Sequence, residues 1–328
     1  GVVILTALLA FYVVLTPKRV TSLVNKYAPD FVTCGFSLEK AEITIFKTFP
    51  DVGIEIHNLV LENPMEGSPS DTLAAINSFV VSVDAKKIWK ENAIVVKPCI
   101  MEGGFANIFI DKDGKTNFDI VPPSEEETDE EEESTAWEIS LNNIDFKDIN
   151  VIYTDLSQDI KANIDGFSFF VNGEMKGMDD MAINIKMNLE NLAAKIDSDS
   201  TKMDCTAQDI KLDGKIKTAD NETYLGNIIF GLDELCYSNI IDTQFVKIKQ
   251  SSFSYDGAIK QMQIVDGKLS MTTMLDTLAL ADMSLDKKIS LNFFTDLLFD
   301  SEKMNAVIRE GHLAVNNAAL DFSGTADM

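Results

Sequence analysis

The chain has 328 residues, with 28 Lys or Arg against 53 Asp or Glu, so its formal net charge is −25. Such an acidic chain lacks the clustered cations that neutralise phosphates, which argues against a nucleic-acid binder. Hydrophobic residues make up 45% of the sequence, enough to build a core, so the chain as a whole is not expected to be disordered.

Catalytic and metal-binding patterns are absent from the sequence. The two histidines, His57 and His312, leave little for histidine-based catalysis or a multi-histidine metal site. The four cysteines lie far apart with no C-x-x-C pair, which favours free buried thiols over a redox motif, a zinc ribbon or a disulfide scaffold. No nucleophile-elbow, P-loop, zincin or dinucleotide-binding motif occurs. We therefore expect a protein that is not an enzyme and has no catalytic residues, metal ligands or cofactor.

Residues 1–17 are predicted to form a transmembrane anchor. The first fifteen positions carry no charge, although this run is shorter than the about 20 residues that usually span a bilayer. A cleaved signal peptide is the alternative, but no A-x-A-like site follows the apolar run. Lys18 and Arg19 come next, and under the positive-inside rule they would keep the rest of the chain in the cytoplasm.

A short helix is predicted directly after the anchor. Val20, Leu23, Val24 and Tyr27 are spaced i, i+3, i+4 and i+7, which places them on one face of a helix. Pro29 then ends the helical pattern. Further helices are expected only at residues 84–92 and 293–304.

The rest of the chain is predicted to be β-structure. Apolar and polar residues alternate over many short runs, which is typical of strands with one apolar and one solvated face. Six Asx-Gly pairs, starting at residues 113, 165, 172, 213, 256 and 266, are expected to form hairpin turns between neighbouring antiparallel strands. The apolar positions of the clearest runs, which share one parity within each strand, are Ile43, Ile45, Ile54, Ile56, Ile139, Leu141, Ile183, Ile185, Met187, Leu189, Phe253 and Tyr255.

Residues 122–136 interrupt this pattern with an acidic segment. Eight of the nine positions from 125 to 133 are carboxylates, and two prolines stand ahead of them. Like-charge repulsion and the lack of apolar side chains predict a disordered linker or loop. A calcium site is the alternative, but the segment has no alternating ligands around a turn glycine.

The order of several short motifs resembles the N-terminal region of the AsmA family over residues 1–121. These motifs follow the anchor and the short helix, and a D-G-x-x-N-F-D segment closes them. They are residues 48–52 (TFPDV), 56–61 (IHNLVL), 79–84 (FVVSVD), Asn107 and 111–119 (DKDGKTNFD).

The resemblance implies a fold, a location and a function. The fold would be mainly β: a transmembrane helix (1–17), an AsmA-like β region with short helices (18–121), an acidic linker (122–136) and a continuing, predominantly antiparallel sheet (137–328). Family members usually extend into a longer C-terminal region. The relationship to chorein-type bridge-like lipid transfer proteins implies a long, curved sheet that carries lipids along an apolar groove. The anchor would lie in a bacterial inner membrane with the body in the periplasm, and this orientation takes precedence over the cytoplasmic one that Lys18 and Arg19 favour.

The twelve alternating apolar residues are then the candidate groove lining, with a phospholipid or other membrane lipid as partner. Components of the outer membrane are possible further partners, and nucleic acid is not expected. Alternation alone does not separate an open groove from a closed β-sandwich whose two apolar faces cover each other. The alternative function is therefore a non-enzymatic scaffold for outer-membrane biogenesis with a closed β core.

Overall fold

The computed structural model describes residues 15–45, 47–48, 52–83, 96–122, 138–140, 144–176, 180–220, 222–281, 283–285 and 287–327. The predicted helix at 84–92 lies outside these residues, as do nearly all of the anchor and of the acidic segment. Among the residues described, no helix combines the length and the apolar composition needed to cross a membrane.

The described chain is mainly β with few helices, as the alternation predicted. Helix α1 spans Pro17–Tyr27, and one 3-10 turn, Ala28–Asp30, follows it. The strands are β1 Phe36–Ser37, β2 Lys40–Thr44, β3 Val52–Glu62, β4 Thr72–Val83, β5 Val96–Ile110, β6 Glu138–Ser140, β7 Ile144–Asp155, β8 Ile160–Lys176, β9 Met181–Asp197, β10 Lys202–Asp220, β11 Thr223–Asn239, β12 Gln244–Lys260, β13 Ile264–Leu280, β14 Met283–Leu285, β15 Ile289–Asp300, β16 Asn305–Val315 and β17 Ala318–Asp327.

The chain divides into two compact units. The N-terminal unit comprises residues 1–135 and 143–157, and the C-terminal unit comprises residues 136–142 and 158–328. The sequence placed the boundary near residue 137, but β7 pairs with β5 and so belongs to the N-terminal unit. A parallel partner is distant in sequence, so local alternation could not reveal this pairing.

The N-terminal unit has a sheet in the order β2–β3–β4–β5–β7. The first four strands are antiparallel, and β7 adds to β5 in parallel. Helix α1 packs on one face of this sheet, where Val20 contacts a core that contains Ala41 and Ile56. The Thr21 hydroxyl accepts a hydrogen bond from the Ala41 amide at 2.8 Å. The helix therefore covers the apolar face and also satisfies a backbone group of β2 that β3 does not reach.

The C-terminal unit is an antiparallel sheet. Strand β8 pairs with β6 and β9, and the order continues β10–β11–β12–β13–β15–β16–β17. The short β14 pairs with the end of β13 that β15 leaves free. Every described element of this unit is a strand of this sheet.

A line of irregular residues crosses β8 to β12. Gly166, Asp209 and Gln250 have positive φ angles of 62°, 51° and 50°, and the cross-strand pairing is interrupted at the same level in each strand. The register is the same on both sides of these interruptions, so neighbouring strands share the irregularity, and the parity of the residues that face each side changes in all of them together. In β9 the more buried parity accordingly runs through Leu189 and resumes at Leu192, three residues later. Apolar side chains thus stay on one face along the whole strand, although strict alternation breaks.

Two groups of local predictions are wrong. Of the six Asx-Gly pairs, only Asp113-Gly114 lies in a turn, and the other five lie inside β8, β10, β12 and β13. Strands of up to 19 residues place these glycines far from the strand ends. Residues 293–304, predicted as a helix, contain most of β15, because cross-strand pairing outweighs a weak local preference.

Candidate functional site

One face of the C-terminal sheet carries a continuous row of apolar side chains, which we call the apolar row. Each member pairs directly with the next across neighbouring strands, from β8 to β17. Strands about 4.8 Å apart make such a nine-strand row about 38 Å long. In strand order the row consists of Phe169, Met187, Leu212, Phe230, Phe253, Met271, Phe293, Leu313 and Leu320.

The described residues of the C-terminal unit provide no second layer over this face, which we call the apolar face. Phe253 in the middle of the row is 39% exposed, and Leu320 at its end is 60% exposed. A hydrophobic core built from several buried residues is found among the described residues of the N-terminal unit only. A single-layer sheet thus leaves large apolar side chains accessible, which is uncommon for a soluble monomer.

The opposite face of the same sheet is polar and rich in ion pairs. Lys186 lies 3.6 Å from Asp213 on the neighbouring strand. Arg309 bridges Asp266 and Asp296, which come from two further strands. The two faces therefore differ sharply in chemistry, and the polar one is the solvated side.

Six of the predicted lining residues lie on the apolar face. Met187 and Phe253 belong to the apolar row itself. Ile185 and Tyr255 lie in the adjacent row, where they pair with Val171 and Ile228 respectively. The remaining two, Ile183 and Leu189, share the parity of Ile185 in β9.

Four of the other six predicted residues, Ile43, Ile45, Ile54 and Ile56, belong to the N-terminal unit. Ile56 is buried beneath α1, and Ile43 and Ile54 pack against the same core. Ile45 follows the end of β2, and Ile139 lies in β6. Leu141 lies outside the described residues.

Sequence reasoning missed most members of the apolar row. Leu212 had a usable signal, because Ile210, Leu212 and Ile216 alternate with polar residues in β10. Phe230 stands in a run that also has apolar residues on the other parity, so the run shows no clean alternation. Phe293 begins the segment that the sequence predicts as a helix. The row becomes recognisable only through the cross-strand register.

A second cluster lies on the N-terminal sheet, on the face opposite α1. Nε2 of His57 is 2.9 Å from Glu42 Oε1 and 3.7 Å from Glu55 Oε1, and the three ligand atoms lie within 4.8 Å of one another. Lysine ammonium groups contact the same two oxygens: Lys40 lies 3.0 Å from Glu42, and Lys47 lies 2.9 Å from Glu55. A cation could bind there only by displacing both lysines, so we assign these contacts to an ion-pair network.

The pKa values of the two carboxyl groups agree with this assignment. A hydrogen bond from Lys40 lowers the pKa of Glu42. Burial raises the pKa of Glu55, but hydrogen bonds from Lys47 and Ser78 outweigh burial, and the net shift is downward. Both groups are therefore stabilised as carboxylates, as ion pairing requires.

The D-G-x-x-N-F-D segment, the most telling part of the family resemblance, has a structural role here. Asn117 is fully buried, and its Oδ1 accepts a hydrogen bond from the Phe109 amide at 2.8 Å. Its Nδ2 donates to the Asn107 carbonyl, also at 2.8 Å. Asp111 Oδ1 accepts from the amides of Asp113 and Lys115 and so shapes the turn. The segment folds back on β5 and holds its end.

Comparison of the chain with protein-family models, curated proteins and solved structures finds no match. The resemblance to the AsmA family therefore rests on the motifs in the sequence alone.

Proposed function

We propose that this protein binds the acyl chains of membrane lipids on the apolar face of its C-terminal unit and transfers them between membranes. The setting would be the one that the AsmA resemblance implies: a single-pass inner-membrane anchor, a periplasmic body and a role in maintaining the envelope. The alternative remains a scaffold in which the apolar face belongs to a closed core.

The apolar row is the observation that carries the proposal. Its length of about 38 Å exceeds the about 30 Å hydrocarbon thickness of a bilayer, so an extended acyl chain fits along it. Each methylene group removed from water contributes about 0.8 kcal/mol. Lipid tails can thus cover an apolar surface that would otherwise remain in contact with water, and no catalytic group is needed.

The charge distribution of the sheet is compatible with this role. Ion pairs such as Lys186–Asp213 and Arg309–Asp266 lie on the opposite face. Acyl chains on the apolar face would therefore displace water from side chains without desolvating these charges. Head groups would remain in water beside the sheet, so their charges would stay hydrated and binding would carry no cost for desolvating them.

Two aspartates introduced next to the apolar row provide the test. In the double variant Ile185→Asp and Met187→Asp, charges stand where acyl chains must lie. We expect the transfer of a fluorescent phosphatidylethanolamine between vesicles to fall by at least about tenfold, since desolvating a charge costs more than the 1.4 kcal/mol that corresponds to tenfold. Because the described sheet has no layer over this face, circular dichroism should show that the strands persist.

The matched control places two aspartates on the polar face of the same strand, as Asn184→Asp and Asn188→Asp. Transfer should then stay at the wild-type rate. A folded Ile185→Asp and Met187→Asp variant with undiminished transfer would disprove the proposal. Unfolding of that variant but not of the control would favour the scaffold, because a closed core cannot hold two unpaired charges.

A further inference from the structure

A row of three glycines crosses the centre of the apolar face. Gly226, Gly257 and Gly267 pair with one another on β11, β12 and β13, and we call them the glycine row. The ring of Tyr255 lies over them. A Cβ atom added to these glycines would come within 3.5, 2.9 and 3.1 Å of Tyr255 atoms, respectively. The backbone surface without side chains is thus covered by one aromatic side chain.

The hydroxyl of Tyr255 is not needed to cover the glycine row. Tyr255 is only 8% exposed, and its hydroxyl oxygen is buried without a hydrogen-bond partner among the described residues. Leaving a buried hydroxyl unpaired destabilises the fold. Tyrosine hydroxyls in protein interiors normally find a partner, so this one requires an explanation.

Covering glycines explains the ring but not the hydroxyl. The same sheet contains a second case, in which Phe322 lies over Gly311 of the paired strand β16. Aromatic side chains stabilise strand glycines in this way through their rings alone. A phenylalanine at position 255 would therefore cover the glycine row equally well and would avoid the cost of the unpaired hydroxyl.

The residues around the Tyr255 hydroxyl determine which kind of hydrogen-bond acceptor it can have. The direct cross-strand neighbours of Tyr255 are Ile228 and Leu269, which offer no acceptor side chain. Burial raises the pKa of Tyr255, and the negative charges of Asp266 and Asp256 raise it further, so the hydroxyl remains a protonated donor. A phosphate or carboxylate would have to lose its hydration to reach this buried hydroxyl, which costs more than one hydrogen bond returns. The partner is therefore a neutral acceptor that an apolar surface can accommodate.

We propose that the Tyr255 hydroxyl donates a hydrogen bond to the carbonyl oxygen of an acyl ester whose chain lies on the apolar row. This inference rests on the proposed function and adds a substrate class to it: ester-linked lipids rather than ether-linked lipids or plain hydrocarbon. Because the described residues of this unit form a single layer, a ligand can reach the hydroxyl through changes of side-chain rotamer, without separating two packed layers.

A pair of lipids that differ only in the carbonyl group tests the inference. Equilibrium binding is measured for a diacyl and a dialkyl phosphatidylcholine with equal chain lengths. The wild-type chain should bind the diacyl lipid about fivefold more tightly, which corresponds to one hydrogen bond of about 1 kcal/mol. Tyr255→Phe should lose this preference by weakening only the diacyl complex. Tyr237→Phe, the same substitution on the same face, should keep it.

The outcomes separate the two proposals. If the wild-type chain binds neither lipid, the proposed function fails, and the ester inference fails with it. If it binds both lipids equally, or if Tyr255→Phe keeps the preference for diacyl lipid, only the ester inference is overturned. Should Tyr255→Phe not fold, infrared spectra of a 13C-carbonyl-labelled diacyl lipid are compared on the wild-type chain and on Tyr237→Phe. A hydrogen bond lowers the frequency of the ester carbonyl, so a band that is lowered equally on both proteins agrees with Tyr255 as the donor. A band that is unshifted on the wild-type chain, or that is lowered there but not on Tyr237→Phe, overturns the inference.

Discussion

Asn117 is a single side chain that joins two parts of the N-terminal unit. Its amide group pairs with the backbone of Phe109 and Asn107 in a fully buried position. Neither backbone group has access to water there, so both depend on this side chain. A residue of this kind contributes to stability through the groups it would leave unpaired.

We predict that Asn117→Ala destabilises the N-terminal unit by about 2–6 kcal/mol, because two buried backbone groups lose their partner at about 1–3 kcal/mol each. Urea denaturation followed by far-ultraviolet circular dichroism measures the loss. Phe118→Ala, which removes a half-exposed neighbour, is the control and should change stability by less than about 1 kcal/mol. Equal losses in the two variants would contradict the role assigned to Asn117.

Glu234 provides a pH-dependent prediction on the polar face of the C-terminal sheet. Hydrogen bonds from Lys247 and then Lys249 lower its pKa to about 2 from an ordinary value of 4.5. A depressed carboxyl pKa stabilises the fold above the unfolded-state pKa, and this contribution disappears as the pH falls from about 4.5 to about 2.

A carbon-detected NMR titration of Glu234 should therefore show a midpoint near pH 2. In the double variant Lys247→Met and Lys249→Met, the midpoint should rise towards 4.5, because both lysine donors are lost and the Cys236 thiol, a weaker donor, remains. Lys268→Met, on a different strand, should leave the midpoint unchanged. A midpoint that stays near 2 without Lys247 and Lys249 would refute the assigned cause.

At the scale of elements, α1 determines which apolar surface of the N-terminal unit is covered. Val20 is 4% exposed, whereas Leu23 and Tyr27, which the spacing placed on the same face, are 46% and 49% exposed. The i, i+3, i+4 and i+7 spacing correctly predicted the helix, and Pro17–Tyr27 agrees with it closely. The pattern did not show that the covered partner would be the face of Ile43, Ile54 and Ile56.

Val20→Ala should lower the free energy of unfolding by about 1–2 kcal/mol. Two buried carbon groups at about 0.8 kcal/mol each and a small cavity outweigh the about 0.5 kcal/mol gained from the higher helix propensity of alanine. Leu23→Ala should have almost no effect, since half of that side chain is already in water. Thermal unfolding of both variants is the measurement, and a larger effect at Leu23 would reverse the assigned orientation of α1.

In the C-terminal unit, irregular residues within the strands determine which apolar side chains share a face. The strands are long, and the positive-φ residues Gly166, Asp209 and Gln250 mark the level at which the parity of the side chains shifts. This shift keeps Leu189 and Leu192 on the same face. Sequence alternation is therefore clear only within one half of such a strand, as in Ile183 to Leu189 of β9 and Phe253 to Tyr255 of β12, because the irregular residues between the halves leave no local signature.

For the whole molecule, the proposed function predicts that lipid stabilises the fold. A ligand that binds only the native state at 100 times its Kd contributes about 2.7 kcal/mol, which raises the Tm of a unit of this size by about 5–10 °C. Delipidated protein should therefore melt lower than protein supplied with phosphatidylethanolamine in detergent. The Ile185→Asp and Met187→Asp variant should show no such increase. An equal increase in both proteins would place the lipid away from the apolar row.

The sequence by itself determined the β-rich composition, helix α1 and the parity of the apolar residues in runs such as Ile183 to Leu189. These features follow from local periodicity, which sets how side chains are distributed around one element. The tertiary structure decided which apolar faces are covered: Ile56 lies beneath α1, whereas Phe253 remains accessible. It also turned five expected hairpin glycine sites into strand interiors and aligned Gly226, Gly257 and Gly267 beneath Tyr255. Strand register joins residues that are distant along the chain, and no local pattern carries that information.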